Sequence, residues 1–237
     1  MYQRILIKLS GEALSGNGKS GIIDSEALLS TAKVIKDIAD IGVEITIVIG
    51  AGNICRGALV EKVGMDRVTG DQMGMLGTII NCLAMKDAIK HYGIDAEVLS
   101  AVEIERFMPT YSPEATDKLL KEKKIVIFGG GTGKPFYSTD TCASLRAIEN
   151  NCDAILIAKN GVDGIYDDDP RINKNAKMFD TIKCSEIISR NLKVMDLEAV
   201  ELLKDKDIDV RVFNMQNTDN FRKVVLKEKV GTTIMKG

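Results

Sequence analysis

Val43-Glu44-Ile45-Thr46-Ile47-Val48-Ile49-Gly50-Ala51-Gly52-Asn53 is a β-branched run that breaks off into glycines. Such a run reads as a strand over Val43–Ile49 covered on both faces, and the glycines mark the turn that leaves it. The same pattern lies on either side. Ile5–Leu9 passes into Ser10-Gly11-Glu12, and Ile125–Phe128 into Gly129-Gly130-Gly131-Thr132-Gly133-Lys134. Further short apolar runs are Asp95–Leu99, Ala154–Ala158 and Val210–Asn214. Between them stand segments of helical period: Ser25–Ile41, with Leu28, Ala32, Ile35, Ile38 and Ala39 on one face, then Met73–Tyr92, a segment opened by Ser112-Pro113-Glu114, and Asp196–Lys206. Strands alternating with helices predict βαβ crossovers and a three-layer α/β sandwich around a mostly parallel sheet. No linker or repeat divides residues 1–237, so the expectation is a single domain.

Composition narrows the function classes. Apolar residues are 45% and charged residues 28% of the 237, which suits a folded globular chain and excludes intrinsic disorder. The formal charge of −2 and the pI near 5.6 give no global reason to expect nucleic acid, so any anion site must be local. Cys55, Cys82, Cys142, Cys152 and Cys184 are odd in number and form no CxxC pair, the usage of a reducing compartment. With no leader-like segment and no apolar stretch near the ~20 residues that span a bilayer, the expectation is a cytoplasmic protein that does not engage membranes.

The chemistry is expected in the loops. In an open parallel sheet, ligands sit beyond the carboxyl ends of the strands, so the three glycine loops should converge on one edge. Glycine there lets backbone N–H groups approach phosphate oxygens. One such loop is only a tight turn; three, with Lys8, Arg56 and Lys134 in or beside them, read as a site for several phosphates. Gly18-Lys19-Ser20 is not a P-loop, because Ala13 stands where its first glycine belongs. The dinucleotide fingerprint fails at Cys55 and at Lys134. His91 is the sole histidine and falls near a helix end, so neither a Ser-His-Asp triad nor a histidine metal site can be built. Asp167-Asp168-Asp169-Pro170 reads as a solvated turn, and no protein metal ligand is assigned.

Taken in order, Ile5-Leu6-Ile7-Lys8-Leu9-Ser10-Gly11-Glu12-Ala13-Leu14, Val48-Ile49-Gly50-Ala51-Gly52-Asn53, Arg56-Gly57, Gly70-Asp71-Gln72-Met73-Gly74-Met75, Thr132-Gly133-Lys134-Pro135-Phe136, Thr139-Asp140, Val162-Asp163-Gly164-Ile165-Tyr166, Lys193-Val194-Met195-Asp196 and Arg211-Val212-Phe213-Asn214 closely resemble the bacterial uridylate kinases of the amino-acid kinase superfamily. The resemblance covers almost the whole chain. It implies the amino-acid kinase fold, ATP with Mg²⁺ as donor, UMP as acceptor and a homohexamer, commonly activated by GTP or inhibited by UTP. It implies donor-site roles for Lys8, Leu9, Ser10, Gly11, Ala51, Arg56, Asn160, Tyr166 and Asp169. The acceptor set is Gly50, Arg56, Asp71, Thr132, Gly133, Lys134, Pro135, Phe136, Tyr137, Ser138 and Thr139. Gly50 and Arg56 would hold the UMP phosphate, Asp71 the ribose, and Thr132–Thr139 the uridine. Lys8, Asp140 and Asp196 form the implied catalytic set. Where many members have Gly-Gly-Gly-Asn this chain has Gly50-Ala51-Gly52-Asn53, and Lys134 stands where asparagine is common.

Elementary chemistry agrees with those roles. Transfer between two anions needs positioning and charge neutralisation more than covalent chemistry, and the acceptor oxygen is already largely ionised at neutral pH. A kinase of this kind works without a catalytic histidine. Two rivals remain at the level of sequence. A related kinase with a carboxylate acceptor would not need Asp71 and the Thr132–Thr139 loop. A sensor that binds UMP or UTP without turnover would not need both Lys8 and Asp140.

Overall fold

The computed structural model describes residues 1–16, 21–55 and 64–237. Arg56, Gly57 and the Gly18-Lys19-Ser20 segment lie outside the described residues, as does most of the Gly16–Gly21 loop. Eight strands are present among the described residues: β1 (Arg4–Leu9), β2 (Glu44–Ile49), β3 (Ala96–Ser100), β4 (Ile125–Gly129), β5 (Ala154–Lys159), β6 (Thr181–Lys183), β7 (Asp209–Asn214) and β8 (Thr232–Met235). The helices are α1 (Ser25–Ala39), α2 (Arg67–His91), α3 (Pro113–Lys121), α4 (Thr139–Glu149), α5 (Cys184–Arg190), α6 (Leu197–Leu203) and α7 (Asp219–Val225).

The strands form one sheet in the order β3-β4-β2-β1-β5-β7-β8-β6. Pairing is parallel from β3 to β7; β8 runs antiparallel to β7 and carries β6 parallel to itself at the edge. Successive side chains of a strand point to opposite faces, so the sheet feeds two cores. Ile5, Ile7, Ile45, Ile47 and Ile49 pack with Ile35 and Ile38 of α1, Met85 and Ile89 of α2, and Phe221 of α7. Leu6, Val48, Ile155 and Ile157 pack on the other face with Cys142 and Ala147 of α4, Ile187 of α5 and Val200 of α6. This is the predicted sandwich.

Local chemistry sets the helix starts. Ser112 Oγ accepts from Ala115 N–H and Pro113 fills the first helical position, as the sequence indicates. α2 begins at Arg67, six residues before the expected Met73, because the Asp66 carboxylate accepts from Thr69 N–H at 3.1 Å and caps a polar first turn that apolar periodicity does not register. The α6 helix is shorter than the expected Asp196–Lys206 span. The three-residue β6, the four-residue β8, and α5 and α7 of seven residues each are too short for a periodic signal to announce them.

Candidate active site

Two cavities open at the carboxyl edge of the sheet. One, of about 820 Å³, is lined by Lys8, Leu9, Ser10 and the turn that follows β1, by Lys159 and Asn160 at the end of β5, and by Met215 and Gln216 after β7. β1 and β5 pair so that Lys8 lies beside Ile157. Leu6 on β1 and Ile155 and Ile157 on β5 bury their side chains toward α4–α6. Lys8 and Lys159 continue those alternate rows one step further out, so the apolar face ends in two ammonium groups. Lys8 Nζ stands 2.7 Å from Asp140 Oδ1 in the first turn of α4, with both side chains 17% exposed. Lys159 Nζ donates to the Val194 carbonyl at 2.8 Å. Burial first, and then the neighbouring Lys8 ammonium, hold Lys159 below the usual lysine range against the opposing fields of Asp140 and Asp196.

The second cavity, of about 390 Å³, is lined from β2 by Ala51, Gly52 and Cys55, from α2 by Arg67, Asp71, Met75 and Thr78, and from the loop after β4 by Thr132, Lys134, Tyr137, Ser138 and Thr139. Asp71 organises that loop. Its Oδ2 accepts the Phe136 N–H at 2.7 Å while Arg67 Nε lies 2.9 Å from both carboxylate oxygens. The loop is pinned at its start from two sides: Thr78 Oγ1 accepts from Gly130 N–H at 2.9 Å, and the buried Arg146, stacked 3.7 Å over the Tyr111 ring, donates to the Gly131 carbonyl at 3.2 Å. Gly131 has φ +58°, a conformation side chains resist.

The cavities meet along a backbone contact. A methyl group on Gly11 would lie 2.3 Å from Asn53 Oδ1 and 2.6 Å from the Gly50 carbonyl oxygen, so the two glycine loops touch main chain to main chain. Asn81, wholly buried in α2, holds the second loop from beneath: its Nδ2 donates to the Gly50 carbonyl and to Asn53 Oδ1, each at 2.8 Å. Thr139 and Asp140 are consecutive in the first turn of α4, one lining the smaller cavity and the other paired with Lys8. The helix N-terminus therefore stands between them, with its partial positive charge at the junction.

Of the donor-side residues expected from sequence, Lys8, Leu9, Ser10 and Asn160 line the larger cavity, and Gly11 lies at the contact between the loops. Ala51 lines the smaller cavity instead. Tyr166 pairs with Met178 in an isolated bridge and Asp169 is ion-paired to Arg171; neither lines either of these two cavities. Of the expected acceptor residues Asp71, Thr132, Lys134, Tyr137, Ser138 and Thr139 come together, while Gly50, Gly133, Pro135 and Phe136 do not line this cavity; Gly50 is held by Asn81 and Phe136 by Asp71. Asp196 precedes α6 and acts on Lys159 through its field. Residues the sequence reading missed are Lys159, Asn81, Thr78 and Arg146. Two left a signal: Lys159 ends the apolar run of β5 as Lys8 ends that of β1, and Asn81 interrupts Ile79-Ile80 and Cys82-Leu83.

A parallel sheet whose strand-end glycine loops lie beside a lysine–aspartate pair, with a cavity on either side, is an architecture suited to phosphoryl transfer. Residues 3–214 match the amino acid kinase family, and the chain belongs to that family. Within it the chain stands with the bacterial UMP kinases. It is 41% identical to a UMP kinase from Bacillus anthracis whose crystal structure superposes with a TM-score of 0.95, covering 99% of this chain and 96% of that one. It is 39% identical to the UMP kinase of Ureaplasma parvum, with full coverage of both chains and a TM-score of 0.93. The uridylate kinase of Archaeoglobus fulgidus shares 25% identity over 97% of this chain and 99% of its own, at a TM-score of 0.73.

Proposed function

We propose that this chain transfers the γ-phosphoryl group of ATP to UMP, giving ADP and UDP in pyrimidine nucleotide synthesis. The observation that carries the reading is the position of the Lys8–Asp140 pair at the junction of the two cavities, with the donor glycine loop on one side and the Asp71-anchored loop on the other. ATP phosphates lie along Ser10 and Gly11, UMP binds against Asp71 and Thr132–Thr139, and the phosphates meet where Gly11 touches Gly50. Arg56 belongs to both substrate phosphates in this reading.

The chemistry follows from charge. The UMP oxygen attacks as an anion, so no proton has to be removed, and Lys8 neutralises charge that grows on the donor phosphates as the bond breaks. Asp140 holds the Lys8 ammonium in place. A magnesium ion carried by ATP would fit the residues present, because the Asp140 carboxylate, paired with Lys8 through Oδ1 at 2.7 Å, is a hard oxygen donor of the kind magnesium takes. Asp140 would help to hold that ion, which would supply charge neutralisation for the donor phosphates. A non-catalytic sensor would have no use for this ion pair inside its donor cavity.

Self-association belongs to the same reading. Met73, Leu76, Ile80 and Leu83 of α2 are each more than a third exposed and recur at steps of three and four, one continuous apolar stripe. The stripe supports a homo-oligomer; the hexameric state, regulation by GTP and UTP, and a cytoplasmic place of action rest on family likeness and on the sequence. The deciding experiment is ADP release from ATP and Mg²⁺ against UMP, CMP, dTMP, glutamate and carbamate. UMP should exceed CMP and dTMP by about a thousandfold, since a site built to hydrogen-bond one base edge rejects others strongly. Comparable rates on all three nucleotides overturn the specificity, and turnover of glutamate overturns the acceptor.

A further inference from the structure

Lys159 is harder to explain than Lys8. A lysine ammonium has three N–H donors, and here one goes to the Val194 carbonyl at 2.8 Å. Among the described residues Lys159 makes no ion pair, whereas Lys8 has Asp140 as its counter-ion. Capping one carbonyl does not require a charge; a neutral donor would do it without the cost of removing an ammonium from water. The arrangement adds a second cost, because Lys8 occupies the same face of the adjoining strand and the two ammonium groups repel. Both penalties vanish when a polyanion enters the cavity that the two side chains line.

We propose that Lys159 is a second cation for the donor phosphates, contacting the β- or γ-phosphoryl group beside Lys8 and stabilising the charge that develops there during transfer. The inference rests on the reading of this cavity as the ATP site. The two lysines divide the work by their surroundings. Lys8 is neutralised by Asp140 at rest and so is held in a fixed place. Lys159 has only the distant fields of Asp140 and Asp196 and retains two unused donors and most of its charge for the ligand. Its backbone position is set by the β5–β7 pairing with Asn214, on the rigid sheet and not on a loop, which fixes its distance to the donor phosphates.

The test compares Lys159→Gln with Lys159→Arg. Glutamine keeps a donor for the Val194 carbonyl and removes the charge; arginine keeps the charge. Lys159→Gln should lower kcat by roughly a hundredfold, the loss typical of one preorganised donor. The KM for UMP should stay within about threefold. Lys159→Arg should recover a substantial part, and the Gln variant should melt no lower than wild type because the repulsion is relieved. A Gln variant with kcat within about threefold of wild type, or one whose lost activity tracks a lowered melting temperature, overturns the proposal and leaves Lys159 a structural pin. Calorimetric binding of the non-hydrolysable analogue AMP-PNP separates this from the broader reading. If wild type binds the analogue and Lys159→Gln binds it clearly more weakly, Lys159 is a phosphate ligand even should UMP prove the wrong acceptor. Equal binding together with equal kcat rejects the role outright.

Discussion

Lys8 at the end of β1 and Asp140 in the first turn of α4 are 132 residues apart in sequence and 2.7 Å apart in space, joined across the junction of two cavities. The pair links a strand end to a helix start. Lys8→Ala should therefore lower kcat by about a hundredfold or more while leaving the KM for UMP nearly unchanged, the signature of an interaction made chiefly in the transition state. Asp140→Asn should act in the same direction, since it releases the ammonium from its place. The double variant should cost much less than the two single losses combined, because both remove one device. Steady-state kinetics on the four proteins, with circular dichroism to confirm folding, gives the answer; a Lys8→Ala enzyme altered only in KM refutes the transition-state role.

Asp71 should behave oppositely. Its carboxylate accepts the Phe136 N–H at a residue whose φ of +74° needs an outside hold, so Asp71→Ala frees the loop that closes on the acceptor. The KM for UMP should rise by about tenfold or more, with kcat and the KM for ATP within about threefold. Arg67→Ala removes an i,i+4 partner of Asp71 that also lines the cavity and lies 5.8 Å over the Phe136 ring, so it should raise the KM for UMP in the same direction but by less than Asp71→Ala. An equal loss of kcat in Asp71→Ala would move this residue into the chemical step.

Glycines eleven and fifty-two offer a contrast within one site. Gly11→Ala forces a methyl group against the Gly50 carbonyl and Asn53, with main chain on one side and a buried amide network on the other. Overpacking of this kind costs about 1–3 kcal/mol, or roughly 3–10 °C in melting temperature for a chain of this size. Activity should fall below detection, since both phosphate loops move. Gly52→Ala meets no atom within 4 Å and should melt with wild type. Differential scanning calorimetry of the two variants decides; equal melting points would mean the loops do not touch.

Thiol chemistry reports on the acceptor cavity. Burial pushes the Cys142 thiol up to about 11 and the Cys152 thiol up to about 12, and Cys82 and Cys184 are likewise buried and raised, so none of the four offers a thiolate near neutral pH. Cys55 is half-buried and lines the smaller cavity. A disulfide reagent added to native protein should modify one thiol per chain, and UMP should slow that reaction. Denaturant should raise the count to five. Rapid native modification of a second thiol would show that one of the two cores opens.

How much of this was legible beforehand follows from what each residue contributes locally. The six longer strands and the glycine loops announced themselves, because a buried parallel strand needs a β-branched run and a phosphate turn needs glycine. Lys8, Asp71 and Thr132–Thr139 were singled out by resemblance; Lys8 lines the larger cavity, and Asp71 with Thr132, Lys134, Tyr137, Ser138 and Thr139 lines the smaller. Asn81 was hidden because one buried amide in an apolar helix has meaning only when the carbonyl it meets is known, and that carbonyl is Gly50, 31 residues away. Arg146 was hidden likewise: its role depends on reaching the Gly131 carbonyl, a contact between helix and loop that no periodicity encodes. β6 and β8 escaped since three or four residues carry too little pattern, and each is defined by the strand beside it.

That last pairing has a bearing on synthesis. β1, β2, β4 and β5, from which the nucleotide loops spring, are neighbours in the sheet and are all made by Lys159. β6 pairs with β8 alone, so Thr181–Lys183 must wait for Thr232–Met235, about fifty residues or several seconds of translation later at ordinary rates. Until Thr232–Met235 is made, β7 lacks the antiparallel partner that pairs with Val210 and Val212. A polypeptide halted between residues 217 and 231 would hold every residue that lines the two cavities, yet its β7 edge would have no partner, an aggregation hazard once β7 leaves the ribosome.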